Sequence, residues 1–193
     1  MKPLSLEFDR AVSSLDRLPA PALPETALLG RSNVGKSSLI NTVGRNRKLA
    51  RMSRDPGRTR TLNFYQGDGL ILVDLPGYGY AKAPEAERRR WGRLVEGYLE
   101  NRENLVAGLL VLDVRRVPGE QDGIMRGWLA RREVPFLAVA TKADKVSRGA
   151  ALVAARTIRK TLDLTEEQVL LFSAKTGAGR EKLTGWIRSA SER

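Results

Sequence analysis

The chain has 193 residues, 41% of them apolar and 29% charged, which suits one globular unit with a sizeable core. It contains no cysteine and no histidine, which excludes disulfides, thiol chemistry, Cys-based zinc sites and imidazole catalysis; carboxylates, lysine, hydroxyls, backbone dipoles or a hard, oxygen-liking metal remain. A net charge of +12, from 34 basic and 22 acidic residues, favours polyanionic partners. The longest apolar run, Leu105 to Leu112, is too short to span a bilayer. No basic stretch followed by an apolar run opens the chain, so a cytoplasmic protein without a membrane partner is expected.

Residues 1–24 carry Pro3, Pro19, Pro21 and Pro24 and read as a lead-in with a short strand near Leu4 to Phe8. Residues 25–193 then read as a single domain. "ETALLG" (25–30) is a buried strand running into a glycine-containing turn, and "KSSLINTVG" is the helix after it. Residues 45–61 are basic, lack apolar periodicity and read as a loop. "TLNFYQ" and "GLILVDL" read as an antiparallel hairpin around the turn Gly67–Asp68–Gly69. Pro84 suits the first turn of a helix whose apolar face is Trp91, Leu94, Val95, Tyr98 and Leu99. "LVAGLLVLDV" is a buried strand, Ile124, Trp128 and Leu129 mark a helix, and "PFLAVATK" is another strand. A helix capped near Ser147, the strand "EQVLLFSAK" and a helix with Leu183, Trp186, Ile187 and Ala190 inward complete the chain. The alternation predicts a three-layer α/β domain: a mainly parallel six-stranded sheet with one antiparallel edge strand and helices on both faces.

"GRSNVGKS" fits G-x-x-x-x-G-K-[ST] in the required strand–loop–helix context. Gly30 and Gly35 allow torsions that aim amide N–H groups of the loop (Arg31, Ser32, Asn33, Val34) at phosphate oxygens. Lys36 adds a charge on the β- and γ-phosphates, and Ser37 offers a hard oxygen to Mg²⁺. The helix entered through Lys36, Ser37 and Ser38 adds its N-terminal dipole.

"TKAD" names the base. Asp144 can accept from guanine N1–H and its 2-amino group; adenine would leave the carboxylate unpaired, a mismatch able to discriminate by about 10⁴ or more. Lys142, between Thr141 and Ala143, can lay its stem over the base. "FSAK" follows the last strand: after Phe172, the amides of Ser173, Ala174 and Lys175 could meet guanine O6, and Lys175 could cover the other face.

Asp74 ends a strand and can hold Mg²⁺ through a water. In the following Leu75–Pro76–Gly77, the Gly77 amide can meet the γ-phosphate. A threonine of "DPGRTRT" (55–61), Thr59 or Thr61, would complete the Mg²⁺ shell only with the γ-phosphate present, which makes this loop, with Gly57, Arg58 and Arg60, a switch. After Gly77, where a glutamine usually orients the attacking water, stands Tyr78.

Together "GRSNVGKSSLIN", "PGRTRTLNFY", "DLPGYGYA", "TKADK" and "FSAK" resemble the EngB (YihA/YsxC) family of bacterial ribosome-biogenesis GTPases across nearly the whole chain. The chain departs in "FSAK", for the commoner Phe-Ser-Ser, and in Arg116, where a histidine is common. The resemblance implies a Ras-like fold, GTP/GDP binding with Mg²⁺ on Ser37, Thr59 and Asp74, and catalytic roles for Lys36, Thr59 and Gly77. It selects Thr59 over Thr61 and admits Thr141 where most GTPases carry Asn. It further implies a role in late assembly of the large ribosomal subunit and in cell division and septation.

Tyr78 predicts slow intrinsic turnover, with the missing charge supplied by K⁺ held near Asn33, as in related GTPases, or by the ribosomal particle. Arg45, Arg47, Lys48, Arg51, Arg54, Arg58 and Arg60 lie in or beside the first switch, and Arg88, Arg89 and Arg90 follow the second. Such charge binds phosphate backbones, so rRNA affinity is expected to follow nucleotide state. A monomer is expected. The alternative is a signalling switch acting on a protein effector without RNA; the net charge and the lack of a lipidation motif argue against it.

Overall fold

The computed structural model describes residues 2–50, 61–79 and 84–192, the side chain of Arg88 excepted. Gly57, Arg58, Thr59 and Arg60 of the first switch, together with Arg51, Arg54 and Tyr80, lie outside the described residues.

Seven strands form one sheet in the order β1-β3-β4-β2-β5-β6-β7. They are β1 (Glu7–Val12), β2 (Glu25–Gly30), β3 (Leu62–Gly67), β4 (Leu70–Asp74), β5 (Leu105–Asp113), β6 (Phe136–Thr141) and β7 (Val169–Leu171). The helices are α1 (Lys36–Val43), α2 (Glu85–Asn101), α3 (Glu120–Arg131), α4 (Arg148–Leu162) and α5 (Arg180–Ser191). Strands β4, β2, β5, β6 and β7 pair in parallel, and β3 is antiparallel to both neighbours, β4 and β1.

The three-layer architecture is the expected one, but the sheet has seven strands, not six, and the antiparallel strand is not the edge. Leu4 and Leu6 are buried in the core, and Leu4 N–H donates to Val43 O at 3.1 Å. The lead-in is therefore anchored first, and pairing begins later, at Glu7, along β3. Asp68 and Gly69 both have positive φ, 49° and 75°, as a two-residue hairpin turn of the Asp-Gly kind requires.

The period of two splits the core between two faces. Ala27, Leu29, Ile71, Val73, Leu110, Leu112, Ala138 and Ala140 pack with residues of α2, α3 and α4. Leu28, Leu70, Leu72, Leu109, Val111, Leu137 and Val139 pack with α1 and α5. Ile124, Trp128 and Leu129 do lie on a helix; Ile124 is 48% exposed, while Met125, Trp128 and Leu129 face the core. Ser147 caps α4 as expected, its Oγ accepting from Ala150 N–H.

β2 starts on a buried charge. Glu25 accepts from Arg102 Nε at 2.9 Å and from the Tyr98 hydroxyl at 2.8 Å, while Arg102 also donates to Pro19 O. This cluster ties the lead-in, β2 and the end of α2 together beneath the sheet. Its far end, the carboxyl ends of the parallel strands, is where an open α/β sheet places its ligands.

Candidate nucleotide-binding site

The loop between β2 and α1 is shaped by its residue types. Gly35 has φ 109°, a conformation that disfavours any side chain. Gly30 acts differently from the torsional role expected of it. A Cβ there would stand 2.5 Å from Val111 O, so its task is close approach to β5. Asn33 also has positive φ, 63°, which asparagine tolerates.

Lys36 and Asp74 meet beneath the loop. The Lys36 ammonium donates to Gly30 O at 3.3 Å and lies 3.9 Å from Asp74 Oδ1, both side chains being buried. That Asp74 oxygen has no hydrogen-bond partner among the described residues. Burial pushes the Asp74 carboxyl up to about 6 against the pull of Lys36, and burial lowers Lys36 against the pull of Asp74. Such a pair is held ready for charges that are not its own. Ser37 follows in the first turn of α1, partly buried.

The segment after Asp74 lies on the phosphate loop. Ser32 Oγ donates to Gly77 O at 3.3 Å, and Ser32 N–H donates to Tyr78 O at 3.0 Å. A Cβ on Gly77 would stand 2.9 Å from the Ser32 backbone, so only glycine fits. Tyr78 turns away: its hydroxyl donates to Asp122 Oδ1 at 2.7 Å, at the start of α3. Of the first switch, only Thr61 is described; its hydroxyl donates to Asn63 Oδ1 at 2.9 Å.

The two base loops are joined. Ala143 N–H donates to Phe172 O at 3.1 Å, and Ser173 Oγ donates to Asp144 Oδ1 at 2.7 Å. That bond holds the Asp144 carboxyl below its ordinary range. Ser173 is thus an orienter of Asp144. Its own amide is committed to Ala178 O, leaving Ala174 and Lys175 as the amides able to meet a ligand. Val34, Leu75 and Phe172 turn their side chains into the core and can meet a ligand only through backbone.

Thr141 links base side to phosphate side, its hydroxyl bridging the carbonyls of Val34 and Leu112. Lys142 does the same from an αL backbone (φ 61°), its ammonium donating to Asn33 O at 2.7 Å and Asp113 Oδ2 at 2.8 Å. Asp113 was not among the residues expected here. Burial opposes its ionisation, but bonds from Arg115 and Lys142 hold its carboxyl far below the usual range. Its position at the end of a buried strand, in "DVRR", was the available signal.

Comparison with known proteins agrees with this geometry. A family model described as a 50S ribosome-binding GTPase matches residues 25–142. The probable GTP-binding protein EngB of Syntrophomonas wolfei is 49% identical over 178 residues, 92% of each chain. That of Syntrophus aciditrophicus is 47% identical over 191 residues, 98% of this chain and 97% of its own. The crystal structure of a probable GTP-binding protein engB superposes with a TM-score of 0.73 at 23% identity, over 88% of this chain and 100% of that one. Era, crystallised with MgGDPNP and a stretch of 16S ribosomal RNA, gives 0.70 at 23% identity, over 86% and 56%. At those identities the two structures speak for the fold alone.

Proposed function

The chain belongs to the EngB family of GTP-binding proteins and is a GTPase, and from that premise we propose that it is a Mg²⁺-dependent switch assisting assembly of the large ribosomal subunit, needed for normal cell division and septation. Residues 25–193 are assigned to the nucleotide-binding unit, which acts as a cytoplasmic monomer. The observation that carries the reading is the buried Asp74 oxygen without a hydrogen-bond partner among the described residues, facing Lys36 where the phosphate loop and Gly77 meet.

That oxygen fits Mg²⁺. The ion takes hard oxygen donors and keeps several waters, so Asp74, Ser37 and Thr59 with phosphate oxygens suffice. Held by these residues, it would supply positive charge that offsets the charge of the phosphates. Lys36 exchanges Gly30 O for phosphate oxygens, and the Gly77 amide senses the γ-phosphate. Asp144, held ionised by Ser173, accepts from guanine, and Lys142 covers the base while tied to Asn33 O. Tyr78, committed to Asp122, does not orient water, so intrinsic hydrolysis is slow. K⁺ near Asn33, or the ribosomal particle, would supply the missing charge, a role worth about 10³–10⁵ in rate when an arginine fills it.

The ribosomal partner is supported by the description of the matching family model and by a net charge of +12. Sedimentation with large-subunit precursors tests it. Binding should be stronger with a GTP analogue than with GDP, and should fall with salt and with RNase treatment. Identical, salt-insensitive binding in both states would refute the coupling, and an RNase-resistant partner would favour a protein effector.

A further inference from the structure

Tyr78 occupies the position from which a glutamine would orient water, yet it is held at both ends by other parts of the fold. Its carbonyl accepts Ser32 N–H at 3.0 Å, and the pair Arg31 and Tyr78 forms a parallel bridge. Its hydroxyl donates to Asp122 Oδ1 at 2.7 Å. Asp122 is only 2% exposed, and its second oxygen accepts Gly119 N–H at 2.8 Å, capping α3. The phenol stays protonated, burial and the neighbouring Asp122 raising it well above its ordinary value. The chain leaves through Gly79 (φ 76°), where a Cβ would stand 3.1 Å from Gln121 Oε1 and 3.2 Å from Arg31.

The anchor is packed on the sheet. Leu129 of α3 sits directly on β5, where a Cβ added to Gly108 would come within 2.8 Å of its methyl groups. β5 pairs with β2, which carries the phosphate loop. The hydroxyl–carboxylate bond therefore references the backbone beside Gly77 to the same sheet that carries the phosphate loop.

We infer that Tyr78 and Asp122 are positioning residues for γ-phosphate recognition: their hydrogen bond holds Gly77 against Ser32, so that its amide is in place before GTP arrives. This rests on the reading of Gly77 as the γ-phosphate sensor. GDP has no γ-phosphate and gains nothing from the arrangement, so the bond acts on the preference for GTP over GDP. A hydrogen bond to a charged acceptor is strong enough for Tyr78→Phe to weaken a non-hydrolysable GTP analogue about tenfold while GDP changes less than about twofold.

The test is titration of fluorescent GDP and a fluorescent GTP analogue, with Mg²⁺, against wild type, Tyr78→Phe, Asp122→Ala, the double variant and Gly77→Ala. Asp122→Ala should lower the GTP/GDP preference as Tyr78→Phe does, with an added loss of thermal stability from the missing cap. The double variant should have the same preference as Asp122→Ala alone, because the two groups act through one bond. A Tyr78→Phe protein that keeps the wild-type preference, while Gly77→Ala loses it, overturns the inference and spares the sensor. A Gly77→Ala protein that keeps the preference overturns the sensor reading itself. Equal loss of both nucleotides in Tyr78→Phe would mean a general structural role and would also overturn the inference.

Discussion

Replacing Arg102 by Met should destabilise the protein without altering its nucleotide site. Arg102 and Glu25 are 5% and 0% exposed, and the guanidinium is the only cation bonded to that carboxylate among the described residues. Removing one member of a buried pair leaves an uncompensated charge and costs about 3–5 kcal/mol. The low end applies, about 3 kcal/mol, because the Tyr98 hydroxyl still donates to Glu25. For a chain of this size that is a fall in Tm of roughly 6–12 °C. Urea denaturation followed by tryptophan fluorescence should show a lower midpoint with an unchanged slope. The charge-free double variant Glu25→Met/Arg102→Met should recover most of the loss, leaving about 1 kcal/mol for the orphaned Tyr98 hydroxyl. GDP affinity of the folded single variant should match wild type, since the cluster lies at the end of β2 opposite the phosphate loop. A single variant within about 1 kcal/mol of wild type, or a double variant no better than the single, would refute a buried and mutually dependent pair.

Ser173→Ala should weaken GDP and GTP alike, by about tenfold, and should narrow discrimination against inosine nucleotides, which lack the 2-amino group; competition titrations measure both. Asp74 titrates near 6 in the folded chain against 3.8 in its absence, so the unfolded state releases its proton first. Between those pH values the free protein should lose stability relative to Asp74→Asn as pH rises, while Mg²⁺-dependent nucleotide affinity should rise; denaturation and fluorescence titrations across that range check the opposite slopes. If K⁺ near Asn33 supplies the missing charge, GTP hydrolysis should be faster in KCl than in NaCl at equal ionic strength and should lose that difference in Asn33→Ala; equal rates in the wild type would sink the idea.

Much of the architecture could be read directly. The strands of the sheet interior are continuous apolar runs, and α1, α2 and α5 show their inward faces at helical spacing, because burial on a regular element imprints its period on the chain. The misreadings have physical causes. β1 was displaced because Leu4 and Leu6, apolar enough to suggest a strand, are used for core packing instead. Gly30 looked torsional, but its constraint comes from Val111 O, on a strand far away in the chain.

The sequence alone determined the phosphate loop, the guanine-selecting Asp144 and the strand-end Asp74 as candidates. Each depends on a short run of residues whose backbone conformation and chemistry are local. Only the tertiary structure decided what orients them. Ser173 reaches Asp144 across 29 residues and Thr141 reaches Val34 across 107. Tyr78 is the clearest case. As a letter it is an absent glutamine; in the fold, a carboxylate 44 residues away takes its hydroxyl and ties it to α3. A hydrogen bond between distant segments leaves no period and no spacing, so nothing in the order of residues announces it until the sheet brings the partners together.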